Sequence, residues 1–251
     1  MIGPNRDRRP GRREPFRTPK PTILIVCEGE VTEKQYIEKL AEHHRNSRVT
    51  VKFAKEHGDP KTLVDTAKSL KQAAEKAARR EHDANIKYDS VWCMFDIDEH
   101  LYVHEAREMA SANGIRLAIS NPCIELWLYM HLQPPPGMQH RHVMQGMLKA
   151  LIPDYDKHVD FEKYAAGYDL AVTGAKQLDN LAASMKDRGR NPTTNVYELT
   201  ESIIKVDSNG NADEVSPAWS PMIRSAPPED APSGAPGIVA IEHEALADDE
   251  T

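Results

Sequence analysis

Cysteine is scarce in this chain of 251 residues: Cys27, Cys93 and Cys123 stand alone. With no CxxC pair, nothing marks a zinc ribbon or a disulfide framework. Cys27 and Cys93 fall inside apolar runs, where a thiol behaves as a small hydrophobe, and are expected in the core. Long apolar runs are missing too. No stretch nears the roughly 20 residues that cross a bilayer, and the basic, proline-rich start holds no apolar signal core. The expectation is a chain that meets no membrane and works in a reducing cytoplasm. A GxxxxGK[ST] loop is absent, so ATP-driven sensing would have to come from a partner. A net charge of −7 and a pI near 5.9 exclude a generally basic, nucleic-acid-coating surface but leave room for a local basic groove.

What is present suffices for a substantial core. With 39% hydrophobic residues, one main α/β domain with appendages is the economical arrangement. Residues 1–20 carry Arg6, Arg8, Arg9, Arg12, Arg13, Arg17 and Lys20 among prolines and are expected to form a basic flexible arm. That arm either touches a phosphate backbone or is simply solvated. Residues 207–251 turn acidic and rich in Pro, Ala, Ser and Gly, the pattern of a disordered tail. Between them, 21–133 reads as the α/β domain and 134–206 as a helical extension.

The punctuation of 21–133 is regular. Thr22–Cys27 is a β-branched apolar strand, and Tyr36, Ile37, Leu40 and Ala41 lie at helical spacing over 32–44. Val49–Ala54 gives a second strand, and 61–82 a long Ala/Lys/Glu-rich helix behind Gly58-Asp59-Pro60. Ser90–Phe95 is almost continuously apolar, as in a strand covered on both faces. A helix over 103–113, a strand over 115–120 and a helix over 123–131 complete a βαβαβαβα order, which predicts a Rossmann-like parallel sheet with flanking helices. After Pro134-Pro135-Pro136-Gly137, helices are predicted near 141–151, 160–187 and 194–205. There is no internal repeat.

The chemistry follows from strand polarity. Right-handed crossovers keep the strands parallel, so residues just after Cys27 and Phe95 emerge at the same carboxyl edge. Glu28, Glu30 and Glu33 follow the first run; Asp96 and Asp98 follow the other. Carboxylates gathered this closely repel and raise one another's pKa unless a proton or cation intervenes, and Mg²⁺ or Mn²⁺ prefers oxygen ligands. The bland reading makes the glutamates favourable charges at a helix N-terminus and the aspartates caps. Two such motifs at two strand ends favour metal. Glu125 lies just inside the helix behind Asn121-Pro122 and is a further ligand or water-orienting carboxylate. Asn121 either faces the same cleft or caps that helix. His100 and His104 are four apart without an HExxH pattern; His100 is a candidate for proton transfer or phosphate contact. Lys68, Lys71, Lys76, Arg79 and Arg80 mark a helix face that either lines a nucleic-acid path or is solvated.

Three segments taken in order, Ile23-Leu24-Ile25-Val26-Cys27-Glu28-Gly29-Glu30 with Thr32-Glu33, Phe95-Asp96-Ile97-Asp98, and Ser120-Asn121-Pro122-Cys123-Ile124-Glu125-Leu126-Trp127, resemble the RloB family. That family is similar to Toprim domains, the metal-binding module of topoisomerases, primases and OLD-type nucleases. The resemblance covers about residues 20–205. It implies a Toprim fold with Glu28 as the acid of the first strand, Asp96 and Asp98 as the DxD pair, and Glu33 as a second acid of the glutamate-rich loop. It implies a metal-dependent nuclease of a bacterial antiphage, abortive-infection system. DNA or RNA, tRNA included, is the implied substrate, with a separate ATPase as partner. A homo-oligomer is left open. The competing readings are a haloacid-dehalogenase-like phosphatase using Phe95-Asp96-Ile97-Asp98, whose usual following Thr is missing, and a non-catalytic metal- or phosphate-binding module that docks a partner.

Overall fold

The computed structural model describes residues 21–46, 48–53, 59–97 and 102–204. The arm at 1–20, the tail from 207, and the candidate residues Asp98 and His100 lie outside them. The order is β1 (Ile23–Cys27), α1 (Thr32–His43), β2 (Val49–Phe53), α2 (Pro60–Glu81), a 3₁₀ turn at Ala84–Ile86, β3 (Ser90–Asp96), α3 (Val103–Ala112), β4 (Arg116–Asn121), α4 (Glu125–Met130), α5 (Arg141–Leu151), α6 (Glu162–Ala165), α7 (Tyr168–Ser184), β5 (Thr193–Thr194) and α8 (Val196–Ile204). Among the described residues no helix is long and apolar enough to cross a membrane.

The strands form one sheet in the order β2-β1-β3-β4-β5, parallel except for β5, which runs antiparallel to β4. β1 and β3 are central, and their unbroken apolar sequences reflect burial on both faces. Alternation along them builds two cores. Ile23, Ile25 and Cys27 join Trp92 and Met94 under α1, α4, α5, α7 and α8. Leu24 and Val26 join Val91, Cys93 and Phe95 under α2 and α3. The α/β expectation holds, and the helices after residue 134 share the first of these cores. All three cysteines are free and buried.

Three boundaries differ from the sequence reading. The segment predicted as one helix over 160–187 breaks at Ala166 and Gly167 into α6 and α7. A Cβ on Gly167 would collide with the His131 carbonyl, so the chain passes there at backbone contact distance. The last predicted helix is preceded by a strand, β5, too short to leave a period-2 signal. The helix predicted from Cys123 starts at Glu125, after a cis Asn121–Pro122 bond.

α4 is anchored by a buried polar and aromatic cluster. His131 Nδ1 lies 2.8 Å from the Tyr164 carbonyl, which can only accept, so Nδ1 carries the proton and Nε2 accepts from Tyr36 Oη at 3.1 Å. Burial pulls the His131 pKa down to about 4, leaving the imidazole neutral near pH 7. Trp127 packs edge-on to Tyr36 and His131. The sheet edge at β4 is finished by a side chain: Asn195 Oδ1 accepts from Ile119 N at 2.6 Å, and its Nδ2 donates to the Leu117 carbonyl at 2.9 Å. Its own N–H donates to the Ile119 carbonyl. One residue thus extends the β5 ladder with amide groups from both backbone and side chain.

Replacing Asn195 by Ala strands a buried donor and acceptor and is expected to cost about 2 kcal/mol in urea unfolding. Asn195→Asp is expected to lose a comparable amount at pH 7, because a carboxylate cannot donate to Leu117. An Asp variant as stable as the parent would refute this account of the edge.

Candidate functional site: carboxylates at the carboxyl edge

Four acidic side chains come together at the carboxyl edge of the sheet, each delivered by a different element. Glu28 follows β1, and its N–H donates to the Met94 carbonyl at 3.0 Å. This carries the β1–β3 ladder one step beyond the Cys27↔Met94 pair. Asp96 ends β3 opposite Ser120 of β4. Glu33 lies in the first turn of α1, and Glu125 is the first residue of α4. Glu125, Glu33 and Asp96 are only 3, 8 and 9% exposed, so their charges are poorly solvated, whereas Glu28 is partly open to solvent.

Burial is the main cause that holds the Asp96 carboxyl well above the usual range, and the charges of Glu33, Glu125 and Glu28 add to it while Arg141 opposes. Glu33 is raised to about 7, again mainly by burial. A hydrogen bond to its own backbone opposes the rise, Glu125 and Glu28 add to it, and Lys157 opposes it. These mutual effects place the four carboxyls in one electrostatic unit. Glu125 is held by Tyr155, whose Oη donates to Oε1 at 3.0 Å. Glu33 folds back over Gly29, where any Cβ would run into its carboxylate.

The donor set fits a hard divalent cation: every group is a carboxylate oxygen, and charge of one sign is buried with little to offset it. Among the described residues, no three His, Cys, Asp or Glu side chains stand close enough to enclose one ion. Asp98, the second acid of the DxD pair, lies outside those residues. The carboxylates that would serve are Glu28, Glu33, Asp96 and Glu125.

Other candidates are placed elsewhere. Glu30 is exposed and is not among the charges that act most on Asp96 or Glu33. Asn121 is the last residue of β4 rather than a helix cap, and its Nδ2 donates to the Gly189 carbonyl at 2.8 Å. His104 is exposed and pairs with Glu108 on α3. α2 starts at the carboxyl edge and runs away from it, so Arg79 and Arg80, near its far end, are roughly 30 Å along the helix axis from its start. Lys71 is committed to the Asn113 and Gly114 carbonyls.

Sequence reasoning missed the groups that surround the acids. Arg141 opens α5, and Tyr155 and Lys157 belong to the loop between α5 and α6. That loop is tied across α1: Thr32 Oγ1 donates to the Lys157 carbonyl at 2.8 Å, and Val159 N–H donates to Gln35 Oε1 at 2.9 Å. Beside Glu125 it borders a cleft of about 190 Å³, lined also by Gln145, Gly146 and Lys149. The segment has no periodicity that a sequence reading could use. Its role exists only through its return over the sheet edge.

The fold defines the class as an α/β protein with a largely parallel sheet, and in such sheets ligands bind at the carboxyl ends of the strands, where the buried acids lie here. The family model described as RloB-like protein matches residues 23–203, nearly three quarters of the chain, and the protein belongs to that family. Comparison with curated proteins and with solved structures gives no match.

The raised pKa of Glu33 sets a pH dependence. Its proton is held more tightly in the folded state, so its contribution is fully present below about 4.5 and is lost as pH rises through about 7. In chelator, Glu33→Gln is expected to match the parent in urea stability near pH 4.5 and to exceed it by up to about 3 kcal/mol at pH 8. Added Mg²⁺ or Mn²⁺ should narrow that gap. A gap that does not change with pH would refute the assignment.

Proposed function

We propose that this RloB-like protein is a divalent-metal-dependent nuclease of the Toprim type, hydrolysing phosphodiester bonds of RNA or DNA. The observation that carries the reading is the convergence of Glu28, Glu33, Asp96 and Glu125 at one sheet edge, with Asp96 and Glu33 buried and their proton affinity raised. Glu28 takes the place of the first-strand acid and Asp96, with Asp98, that of the DxD pair. Glu28, Glu33, Asp96 and Asp98 would hold Mg²⁺ or Mn²⁺, with Glu125 completing the set. Bound there, such a cation supplies positive charge against the phosphate and acidity to water.

The chain's own groups prepare that chemistry. Burial and the neighbouring acids raise the proton affinity of Asp96 and Glu33, so protons compete with a cation for these oxygens and cation capture would depend on pH. Tyr155 fixes the Glu125 carboxylate by donating to Oε1. Arg141 and Lys157 lower the charge that a phosphate would meet, acting on Asp96 and Glu33 respectively. This sequence has no GxxxxGK[ST] loop, so any ATP-driven sensing would come from the separate ATPase partner that the family resemblance implies. The likeness to Toprim nucleases of defence systems supports an antiphage, abortive-infection effector acting in the cytoplasm, with tRNA among its substrates. A haloacid-dehalogenase-like use of Asp96 as nucleophile would leave Glu28 and Glu33 without a role.

The test is purified protein with and without Mg²⁺ or Mn²⁺ against DNA, total tRNA and a small phosphomonoester. Cation-dependent cleavage of a polynucleotide is expected; turnover of the phosphomonoester alone would replace this reading with the phosphatase. Asp96→Asn should reduce cleavage by at least about a thousandfold. Its melting temperature should stay within a few degrees of the parent's, since the amide has the shape of a carboxyl whose charged form burial already disfavours.

A further inference from the structure

We propose that Lys149 and Lys157 form a phosphate-binding subsite in the cleft beside Glu125, seating the nucleic-acid backbone next to the bond being cut. This rests on the nuclease reading and adds to it the residues that hold the strand. The cleft of about 190 Å³ is bordered by Glu125, Gln145, Gly146, Lys149, Tyr155, Asp156 and Lys157. Both acids on its rim are already engaged. Glu125 accepts from Tyr155, and Asp156 accepts from His158 N–H at 3.1 Å and meets His158 Nδ1 at 2.9 Å. Both lysines are exposed. Among the described residues neither joins an ion pair. Two exposed lysines therefore border the cleft, neither of them held in an ion pair among the described residues.

The backbone supports the same placement. Lys157 has φ of 79°, a left-handed conformation that is unfavourable for a side-chain-bearing residue and persists only where its surroundings impose it. The Lys157 carbonyl there accepts from Thr32 Oγ1, one residue before Glu33. Gly146 leaves open space where a Cβ would stand, so α5 offers a bare surface between the lysines. The charge balance calls for such a subsite. A protein of net charge −7 with clustered carboxylates repels a polyanion, and binding next to those acids needs local cations. The ligand class is a phosphodiester backbone, held by charge and without base readout.

The test uses the full chain carrying Asp96→Asn, so that bound strand survives, with fluorescent single-stranded RNA and DNA oligonucleotides across a salt series. Adding Lys149→Gln and Lys157→Gln together should raise Kd at least about tenfold and reduce the slope of log Kd against log salt by about 1.4. Arg79→Gln with Arg80→Gln, at the far end of α2, should leave both unchanged. In the active protein Lys149→Gln alone, which leaves the Lys157 charge beside Glu33 in place, should raise KM while kcat stays within about threefold. An unchanged Kd and slope in the lysine variant, from a parent that cleaves polynucleotide, would overturn the subsite and leave the nuclease standing. A parent that neither binds nor cleaves any polynucleotide with Mg²⁺ or Mn²⁺ would overturn both.

Discussion

The register of β1 on β3 is the constraint on which the site depends. With Cys27 opposite Met94, and the Glu28 N–H bonded to the Met94 carbonyl, two segments some seventy residues apart end at the same level. A slip of one residue would turn Ile23, Ile25 and Cys27 to the opposite face and destroy both cores. The hydrophobic alternation that makes the sheet stable is therefore also what sets Glu28 beside Asp96. Folding drives like charges together because apolar burial along two strands outweighs the repulsion at their ends. Burial first, and that repulsion with it, then remain as raised proton affinity in Asp96 and Glu33.

That remaining repulsion explains why the second half of the chain matters to the first. α5, the loop after it, α7 and α8 close the face of the sheet that α1 alone would leave open. The loop brings Tyr155 to Glu125 and Lys157 to the start of α1, while Arg141 acts on Asp96 from the head of α5. The neutral His131, bonded on both ring nitrogens, fastens α4 to α1 and to the α6 segment. Glu125 is thus held from behind by packing and in front by a phenol. Its position is a product of the whole first core rather than of α4 alone.

Most of the sheet could be read from the sequence because burial on both faces leaves unbroken apolar runs, as in Ile23–Cys27 and Ser90–Asp96. The pairing of Glu28 with Asp96 followed from strand polarity, and Glu125 from its place behind β4. Other features left no such trace. β5 is two residues long and has an asparagine side chain for its continuation, which no hydrophobic period can announce. The break between α6 and α7 falls where Gly167 passes against the His131 carbonyl with no room for a Cβ, a tertiary approach invisible in local propensity. Arg141, Tyr155 and Lys157 acquire meaning only through a loop's path over a distant helix. The basic face of α2 shows the converse: a strong compositional signal that strand polarity carries away from the edge.

The side chain of Asn195 bears on how the sheet meets other chains. Edge strands recruit strangers by offering unpaired amides and carbonyls. On the β4 side, Leu117 and Ile119 have spent theirs on Asn195, and Ser120 and Asn121 pair with β5. On the other side of the sheet the outer strand is β2. A partner that docks by contributing a strand therefore finds no free register along Leu117–Asn121 of β4, which a side chain and two residues of β5 have already closed.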